Sequence, residues 1–228
     1  MRVAISTRRI ADPIHGEARD ALSEDWYHYL HATWPEIVLI PLLNAPDRVT
    51  RWASNMVIDA AILSNGNDWG ECTARDETER ALVNLCRTRG LPILGVCRGF
   101  QVLNALEGGA IETDIAGASG HCHGGVRHDV TLCSSQFEEF SASKHIVVNS
   151  YHDQGVTTSG LASTLVPFAL SDGAVVEGFY HPTEAILGIQ WHPERPGAPD
   201  EFDKALIGAF LSRGAFWKQS KLERSCKP

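Results

Sequence analysis

Short apolar runs alternate with longer segments of helical periodicity through the first half of the chain. Each run is bounded by turn residues, and its length and aliphatic content are typical of a buried strand. Between the runs, apolar residues recur at helical intervals, as at Ala18, Leu22 and Trp26, so these segments present one face to a core. This alternation predicts βαβ units and an α/β fold with an open, mostly parallel sheet flanked by helices. The predicted strands of this half are 3–5, 37–40, 60–63 and 92–96.

The second half of the chain is richer in strands, because few helical stretches separate its apolar runs. It closes with a helix predicted over about 199–213, where Phe202, Leu206 and Phe210 fall on one face. We therefore expect a strand-rich C-terminal half. Its predicted strands are 146–148, 165–170, 175–180 and 185–190.

The chain has 228 residues, of which 43% are hydrophobic, enough to bury the core of one α/β domain but few for two. We therefore expect a single domain over 1–228, with a polar tail from about 218. The six cysteines are scattered without CxxC spacing, which predicts reduced thiols rather than a disulfide framework or a zinc knuckle.

The charge balance is acidic, with a formal net charge of −8 at pH 7. An acidic protein disfavours nucleic acid and anionic membranes as partners, since both attract cationic surfaces. The chain begins MRVAIS, directly in a predicted strand, and has no signal-like apolar segment and no apolar run of membrane-spanning length. We expect a cytoplasmic protein that binds a small molecule, with a local basic pocket if that molecule is anionic.

The segment PILGVCRGF, residues 92–100, predicts a strand that turns sharply into a helix at Cys97. Gly95 and Gly99 stand two residues to either side, as a tight strand-to-helix turn requires. The thiol would project at the carboxyl edge of the sheet, where the N–H groups of a helix N-terminus favour a thiolate and can hold an oxyanion. Cys97 is therefore the candidate nucleophile, although a lone cysteine is more often a buried core residue.

The segment AILGIQWHPE, residues 185–194, predicts a strand with His192 and Glu194 at its end. Residues i and i+2 of an extended chain point to the same side, so the imidazole and the carboxylate can lie next to each other. His192 is the candidate base for the thiol, with Glu194 fixing its tautomer. Alone, such a pair is more often a surface hydrogen bond, but together with the strand-to-helix turn at Cys97 it favours a Cys-His-Glu triad.

The motifs GVCRGFQ and WHPE together resemble the class I glutamine amidotransferase family, in its peptidase C26 or γ-glutamyl hydrolase branch. SNGND at 64–68 is similar to the oxyanion loop of that family. GGAIETDI at 108–115 is similar to the segment after its nucleophile helix, and NSYHDQGV at 149–156 to its glutamate-binding stretch. The resemblance implies a flavodoxin-like open sheet, with the triad at the carboxyl ends of the strands.

The resemblance assigns Cys97 as nucleophile, His192 as general base and acid, and Glu194 as orienter. It implies attack on a γ-glutamyl amide, release of an amine, and hydrolysis of the glutamyl thioester by water. It implies no cofactor and no metal. The predicted oxyanion donors are the backbone N–H groups of Arg98 and of Gly66 or Asn67. The glutamyl group is expected to lie against Gln101 and His152, helped by the backbone around Ser150 and Tyr151.

Two features favour a hydrolase over a subunit that passes ammonia to a synthase. Arg98, directly after the nucleophile, resembles the CRG turn of the γ-glutamyl hydrolases, and the chain ends at 228 with no synthase domain attached. A synthase partner in trans and a homo-oligomer stay open as alternatives. A binding or regulatory protein with a silent site is the third alternative, although all three triad residues are present.

The segments 7–26 and 67–80 resemble the γ-glutamyl-CDP-amidate hydrolases of capsular phosphoramidate synthesis. The γ-glutamyl-GABA hydrolases are the alternative, since they share the Arg-Asp element of the second segment but carry a longer insertion before it. A CDP-amidate bears diphosphate charge, which an acidic protein must meet with local arginines. The candidate arginines, each of which is more often a solvated surface charge, are Arg8, Arg9, Arg19, Arg75 and Arg127.

The segment HCHGGVRHD, residues 121–129, holds three histidines and a cysteine. Their spacings match none of the common zinc-binding patterns. We therefore favour a substrate-lining loop over a metal site for this segment.

Overall fold

The computed structural model of the chain describes residues 1–12 and 14–218. The polar tail predicted from about 218, which includes Cys226, lies outside the described residues except for Lys218. The five cysteines within the described part are free thiols. Within 1–12 and 14–218, no helix has both the length and the apolar character that a membrane crossing needs.

A mixed sheet of nine strands forms the centre of the described structure, which confirms the predicted α/β class. The described residues form eleven strands, of which β2 and β3 make a separate two-stranded sheet. They are β1 (Arg2–Ser6), β2 (Arg8–Ala11), β3 (Ala18–Ala21), β4 (Val38–Leu42), β5 (Ala60–Leu63), β6 (Ile93–Val96), β7 (Gly124–Leu132), β8 (His145–Tyr151), β9 (Val166–Ser171), β10 (Val175–Tyr180) and β11 (Ile186–Ile189). The sheet order is β4-β1-β5-β6-β11-β10-β9-β7-β8. The first five strands of that order pair in parallel, and the other four extend the sheet by antiparallel pairing.

Helices cover both faces of this sheet. Val3 and Ile5 of β1 belong to a core shared with the first and last helices, whereas Ala4 between them belongs to a second core shared with the next three helices. The alternation of side chains along a strand produces these two layers. The helices are α1 (Glu24–Thr33), α2 (Val49–Met56), α3 (Thr73–Arg89), α4 (Arg98–Leu106), α5 (Ile115–Ser119), α6 (Ser135–Glu138) and α7 (Asp200–Arg213), with 3₁₀ turns at Pro46–Arg48 and Asp172–Ala174.

The segment before α1 differs from the prediction. The helical spacing that includes Ala18 predicts a helix there, but Ala18–Ala21 pairs with Arg8–Ala11 as the antiparallel hairpin β2–β3. The helix starts only at Glu24, because the Ser23 hydroxyl caps it by accepting a hydrogen bond from the N–H of Asp25. The four-residue interval from Ala18 to Leu22 therefore led to a predicted helix start that is too early in the chain.

Strand β7 is also absent from the predicted set. Most of its side chains are exposed or half-buried, and only Val130 and Leu132 are fully buried. The segment therefore lacks the apolar run by which the other strands are recognised.

Parallel pairing of β6 with β11 brings the two predicted catalytic motifs together. Gly95 pairs with Gly188 and Val96 with Ile189, so the two strands end at the same edge of the sheet. Cys97 follows β6 directly, and its N–H donates to the carbonyl oxygen of Ile189 at 2.9 Å. The segment that carries His192 leaves β11 beside it, so residues far apart in the chain become neighbours.

Candidate active site

Cys97 occupies a strained turn between β6 and α4. Its φ of 53° and ψ of −106° are values that residues with a side chain rarely adopt. It immediately precedes Arg98, the first residue of α4, so it lies near N–H groups that have no partner within the helix. The side chain is 9% exposed and lines a cleft of about 340 Å³. Cys97 is therefore accessible from the cleft and is not sealed in the core.

Two glycines permit this turn, because backbone atoms lie where a side chain would stand. A Cβ on Gly99 would lie 2.0 Å from the carbonyl oxygen of Leu63, and one on Gly95 would lie 2.5 Å from the carbonyl oxygen of Gly99. Rotation of a side chain cannot relieve either contact, since both neighbours are backbone atoms. The glycines therefore determine how closely β5, β6 and α4 approach.

His192 is held on two sides by hydrogen bonds. Its Nδ1 lies 2.7 Å from Glu194 Oε1, which also accepts from the side-chain amide of Asn65 at 3.2 Å. The backbone N–H of His192 donates to Asn149 Oδ1, and its carbonyl accepts from Asn149 Nδ2, both at 2.9 Å. Because Nδ1 faces Glu194, Nε2 is the nitrogen left for the thiol. The sequence motif gave no sign of the two asparagines.

The charges around His192 favour its protonated form. Burial alone would lower its pKa, but the interaction with Cys97 acts in the opposite direction. Glu194 adds to this effect, and the pKa of His192 rises to about 9. His192 is therefore favoured in its imidazolium form at neutral pH.

The loop 64–68 after β5 forms part of the cleft wall. Gly66 and Asn67 line the cleft and have φ values of 82° and 50°. The carbonyls of Asn65 and Gly66 accept hydrogen bonds from the guanidinium of Arg75. A trans peptide directs its N–H away from its carbonyl, so the N–H groups of Gly66 and Asn67 point away from Arg75. Neither donates to an acceptor in the described part of the chain.

Arg75 is buried and supports this loop, so the prediction that it contacts substrate is wrong. Its side chain is 0% exposed, its Nε donates to Glu79 Oε1 at 3.1 Å, and its Nη2 donates to the carbonyl of Ser64 at 2.8 Å. Glu79 also pairs with Arg98, whose guanidinium reaches Asp76 as well. We call Arg75, Asp76, Glu79 and Arg98 the arginine network. It joins the loop to the first residue of α4.

The arginine network was missed from sequence, although one signal for it exists. Arg75 and Glu79 stand four residues apart on α3, the spacing of an ion pair along a helix. The same spacing is common on solvated helix faces, so it does not by itself indicate burial. The sequence also did not show that the Arg98 side chain turns away from substrate, into the network.

The predicted glutamyl-binding residues are only partly gathered at the cleft. Gln101, Tyr151 and His152 line it with Cys97. Gln101 Nε2 donates to the backbone carbonyl of Gln154 at 2.8 Å, which orients the amide. The Ser150 side chain is buried and its hydroxyl donates to a backbone carbonyl, so this side chain does not reach the cleft.

Arg8 is the candidate arginine that stands beside the cleft without an ion-pair partner among the described residues. It is exposed, and its guanidinium lies against Gly66, 3.1 Å from the position of a Cβ there. Arg9 instead pairs with Asp20 at 3.1 Å. Arg19 pairs with nearby carboxylates of its own hairpin. Arg8 is therefore the cation best placed to meet a ligand in the cleft.

The histidine-rich segment does not line the Cys97 cleft, so the prediction of a substrate-lining loop is wrong. His123 and His128 line a separate cavity of about 260 Å³, as does Arg127. The two histidines meet His152 and Glu177, and one ligand atom from each of the four side chains lies within 4.8 Å of the others. Spacing in the sequence could not show this cluster, because its members come from different parts of the chain.

A larger cavity, about 420 Å³, lies beside Ile93 and Ile186, where β6 and β11 begin. The candidate residues considered above do not line it. The location of a cavity on the sheet indicates the active site better than its volume does, because open parallel sheets bind ligands at the carboxyl ends of their strands. The smaller cleft at Cys97 is therefore the candidate active site.

Comparison with known proteins gives relatives along most of the chain. Over 202 residues it is 27% identical to the γ-glutamyl-CDP-amidate hydrolase of Campylobacter jejuni, which covers 86% of this chain and 90% of that protein. It is 29% identical over 147 residues to a carbamoyl phosphate synthase small chain of Maridesulfovibrio salexigens, covering 63% of this chain and 34% of that protein. Three further curated relatives are matched over only 49% to 61% of their own length.

A solved structure and a family model complete the comparison. The crystal structure of a glutamine amidotransferase from Thermotoga maritima aligns with a TM-score of 0.58 at 18% identity, covering 100% of this chain and 86% of that chain. At that identity the likeness shows a shared fold. The sequence model of the family described as peptidase C26 matches residues 3–194, a range that contains Cys97, His192 and Glu194. The chain therefore belongs to the peptidase C26 family.

Proposed function

We propose that this protein hydrolyses a γ-glutamyl amide through a glutamyl thioester on Cys97. The observation that carries the proposal is the strained cysteine at the cleft, beside an imidazole whose Nδ1 lies 2.7 Å from a carboxylate. His192 acts as base and acid, and Glu194 fixes its orientation. Membership of a hydrolase family supports this reaction class.

The first half-reaction transfers the glutamyl group to sulfur. The Cys97 thiolate attacks the γ-carbonyl carbon, and the negative charge moves to the carbonyl oxygen. N–H groups of Arg98 and of Gly66 or Asn67 stabilise that oxyanion, an interaction worth about 3–4 kcal/mol per donor in comparable enzymes. When the C–N bond breaks, His192 gives its Nε2 proton to the leaving nitrogen, and Cys97 carries the thioester.

The second half-reaction frees glutamate. The neutral His192 takes a proton from a water molecule, and the resulting hydroxide attacks the thioester carbon. The C–S bond breaks, glutamate leaves, and the thiolate and imidazolium are regenerated. Glu194 keeps Nδ1 protonated through both half-reactions, so the same nitrogen, Nε2, carries the proton each time.

Arg8 supports an anionic leaving group. Its guanidinium is exposed beside Gly66 and has no ion-pair partner among the described residues. Guanidinium groups suit the paired oxygens of a diphosphate. Together with the similarity to the Campylobacter jejuni hydrolase, this favours γ-glutamyl-CDP-amidate as the substrate, cleaved to glutamate and cytidine diphosphoramidate.

A glutaminase that supplies ammonia to a separate synthase is the second candidate. The similarity to a carbamoyl phosphate synthase small chain supports it. A γ-glutamyl-GABA hydrolase would use the same triad with a different leaving group.

Parallel assays with γ-glutamyl-CDP-amidate, γ-glutamyl-GABA and glutamine separate these activities. The proposal predicts the highest kcat/KM for the CDP-amidate, and no glutamate release by Cys97→Ala protein, which controls for contaminating hydrolases. A preference for glutamine that rises when a synthase is added would favour the glutaminase instead. Absence of turnover with all three substrates would leave a silent binding site.

A further inference from the structure

Three histidines and a glutamate meet in the interior, next to the Cys97 cleft. We call His123, His128, His152 and Glu177 the histidine cluster. His123 Nδ1 and His128 Nε2 are each 3.5 Å from Glu177 Oε1, and His152 Nε2 is 4.0 Å from Glu177 Oε2. His123, His152 and Glu177 are all more than nine-tenths buried, with 2%, 5% and 0% exposure.

Hydrogen bonds on the outer side of the histidine cluster fix the tautomers of two rings. His152 Nδ1 lies 2.9 Å from the carbonyl oxygen of Gln154, and His128 Nδ1 lies 3.3 Å from that of Asp129. A carbonyl oxygen can only accept, so each Nδ1 carries the proton and each Nε2 presents a lone pair to the cluster. Histidines that bind metal ions are oriented by the same kind of bond.

The inner atoms of the histidine cluster lack donors. His128 Nε2, His152 Nε2, Glu177 Oε2 and both ring nitrogens of His123 have no hydrogen-bond partner in the described part of the chain. Ser171 donates one hydrogen bond, to Glu177 Oε1 at 3.0 Å. Buried lone pairs that face a carboxylate are costly unless a positive charge lies between them. A proton on Glu177 and the single N–H of a neutral His123 would satisfy at most two of these acceptors and leave the others unpaired.

We propose that the histidine cluster binds a divalent transition metal, with Zn²⁺ as the ion that fits best. Three imidazoles and one carboxylate form a four-ligand set of the kind that zinc accepts. Ligand atoms at about 2.0–2.1 Å from a tetrahedral Zn²⁺ lie about 3.4 Å from one another. Two of the observed separations are already 3.5 Å, and the others, which lie within 4.8 Å, would shorten on binding of the ion.

Irregular strand pairing orients one of the proposed ligands, and a cavity connects the site with solvent. Glu177 lies at a bulge in β10, where the pairing with β9 shifts between Val176 and Gly178. Bulges re-aim side chains and are frequent near functional sites. The cavity of about 260 Å³ gives an entry path for the ion, past His121 and Cys122.

The histidine cluster lies directly behind the wall of the Cys97 cleft. The carbonyl of Gln154 accepts from His152 Nδ1 at 2.9 Å and from Gln101 Nε2 at 2.8 Å. A metal on His152 would therefore fix the carbonyl that orients Gln101. The metal proposal does not depend on the proposed function, because it concerns cation binding alone.

Titration of chelator-treated protein with Co²⁺ tests the proposal without substrate. Co²⁺ replaces Zn²⁺ in such sites, and in a tetrahedral nitrogen and oxygen environment it absorbs visible light strongly. We expect one Co²⁺ per chain with that absorption, its displacement by Zn²⁺, and a higher melting temperature with Zn²⁺ than without. No bound Co²⁺, or binding without the tetrahedral spectrum, would overturn the proposal.

Variants identify the ligands. His128→Gln and Glu177→Gln should weaken Co²⁺ binding at least about 100-fold, since even the hydrogen-bond partners of metal ligands contribute 10- to 100-fold. His145→Gln, which alters an exposed histidine on β8, is the matched control and should bind as wild type does. Melting curves in metal-free buffer establish that each variant is folded, and Zn²⁺ should raise the melting temperature of wild type but not of His128→Gln. Equal Co²⁺ affinity in wild type and in folded His128→Gln would contradict the assignment.

Discussion

At the scale of single residues, Cys97 and His192 show how a short motif becomes a reactive pair. The cysteine is held at a positive φ of 53°, a conformation that costs about 1–3 kcal/mol and persists only when the surrounding packing enforces it. The histidine is fixed at its ring by Glu194 and at its backbone by Asn149. The pairing of His192 with Glu194 follows from their i, i+2 spacing, and could be predicted. The backbone bonds to Asn149 come from another strand, and could not.

The interaction between Cys97 and His192 predicts that the pKa of His192 depends on the side chain at position 97. The pKa of His192 is raised to about 9 against the opposing effect of burial, chiefly by Cys97. Cys97→Ala should therefore lower the pKa of His192, as followed by NMR of the imidazole carbon-bound protons. Because the folded-state pKa exceeds the ordinary value of 6.5, the protonation of His192 stabilises the fold fully below about pH 6.5, and this contribution is lost as pH rises through about 9. An unchanged pKa in the variant would exclude this coupling.

The position of Arg8 predicts that its replacement lowers kcat/KM only for substrates with an anionic leaving group. Arg8→Gln removes the free guanidinium beside Gly66. It should reduce kcat/KM for γ-glutamyl-CDP-amidate about 10- to 100-fold, since a charge-assisted hydrogen bond contributes roughly 1.5–3 kcal/mol. Hydrolysis of glutamine, which has no phosphate, should change little. Arg51→Gln, at an exposed position on α2, is the control. Equal losses with both substrates would show that Arg8 does not recognise the leaving group.

At the scale of elements, the turn at Cys97 depends on the close approach of β5 and α4. Gly99→Ala would place a Cβ 2.0 Å from the carbonyl oxygen of Leu63. We expect a loss of about 1–3 kcal/mol or more in the free energy of unfolding, because only backbone movement can relieve the contact. Chemical denaturation measures this loss. Wild-type stability in the variant would mean that the two elements are not in contact as described.

The arginine network predicts a second effect, on the loop 64–68. Arg75→Met leaves buried Glu79 with Arg98 as its one remaining cation and gives the arginine network an excess negative charge, which should cost about 3–5 kcal/mol in the free energy of unfolding. Arg80→Met, which removes an exposed pair with Glu77 on the same helix, should cost less than about 1 kcal/mol. Denaturation curves of both variants make the comparison.

A double variant separates folding from positioning of the loop. Arg75→Met combined with Glu79→Met removes one charge of each sign, leaves Arg98 paired with Asp76, and should regain part of the lost stability. Its kcat should stay low, because the carbonyls of Asn65 and Gly66 have lost their donor. Recovery of both stability and kcat would show that the network does not position the loop.

The elements that could be predicted are those whose side chains carry a periodic apolar signal. The buried parallel strands and α7 lie where the sequence predicts them. The strands are continuous apolar runs, and α7 repeats apolar residues at helical intervals. The hairpin β2–β3 and strand β7 could not be predicted, because most of their side chains are exposed or half-buried and pairing with a neighbour defines them. Burial of Arg75 also depends on tertiary contacts that no local pattern shows.

At the scale of the whole molecule, strand order assembles both sites. Parallel pairing of β6 with β11 brings Cys97 to the segment of His192, and a family motif made that meeting predictable. The histidine cluster draws on residues in or next to β7, β8 and β10, and no motif links His128 to Glu177. Consequently the candidate active site could be inferred from sequence, whereas the cluster behind it required the fold.

The central claim is that Cys97 carries the glutamyl group during turnover. Acid quenching of wild-type protein during hydrolysis of a γ-glutamyl amide, followed by intact-mass measurement and peptide mapping, tests it most directly. We predict an added mass of one glutamyl group on the peptide that contains Cys97, its disappearance when substrate is exhausted, and neither adduct nor turnover in Cys97→Ala. Turnover by Cys97→Ala at the wild-type rate, or a glutamyl adduct on another residue, would contradict the account.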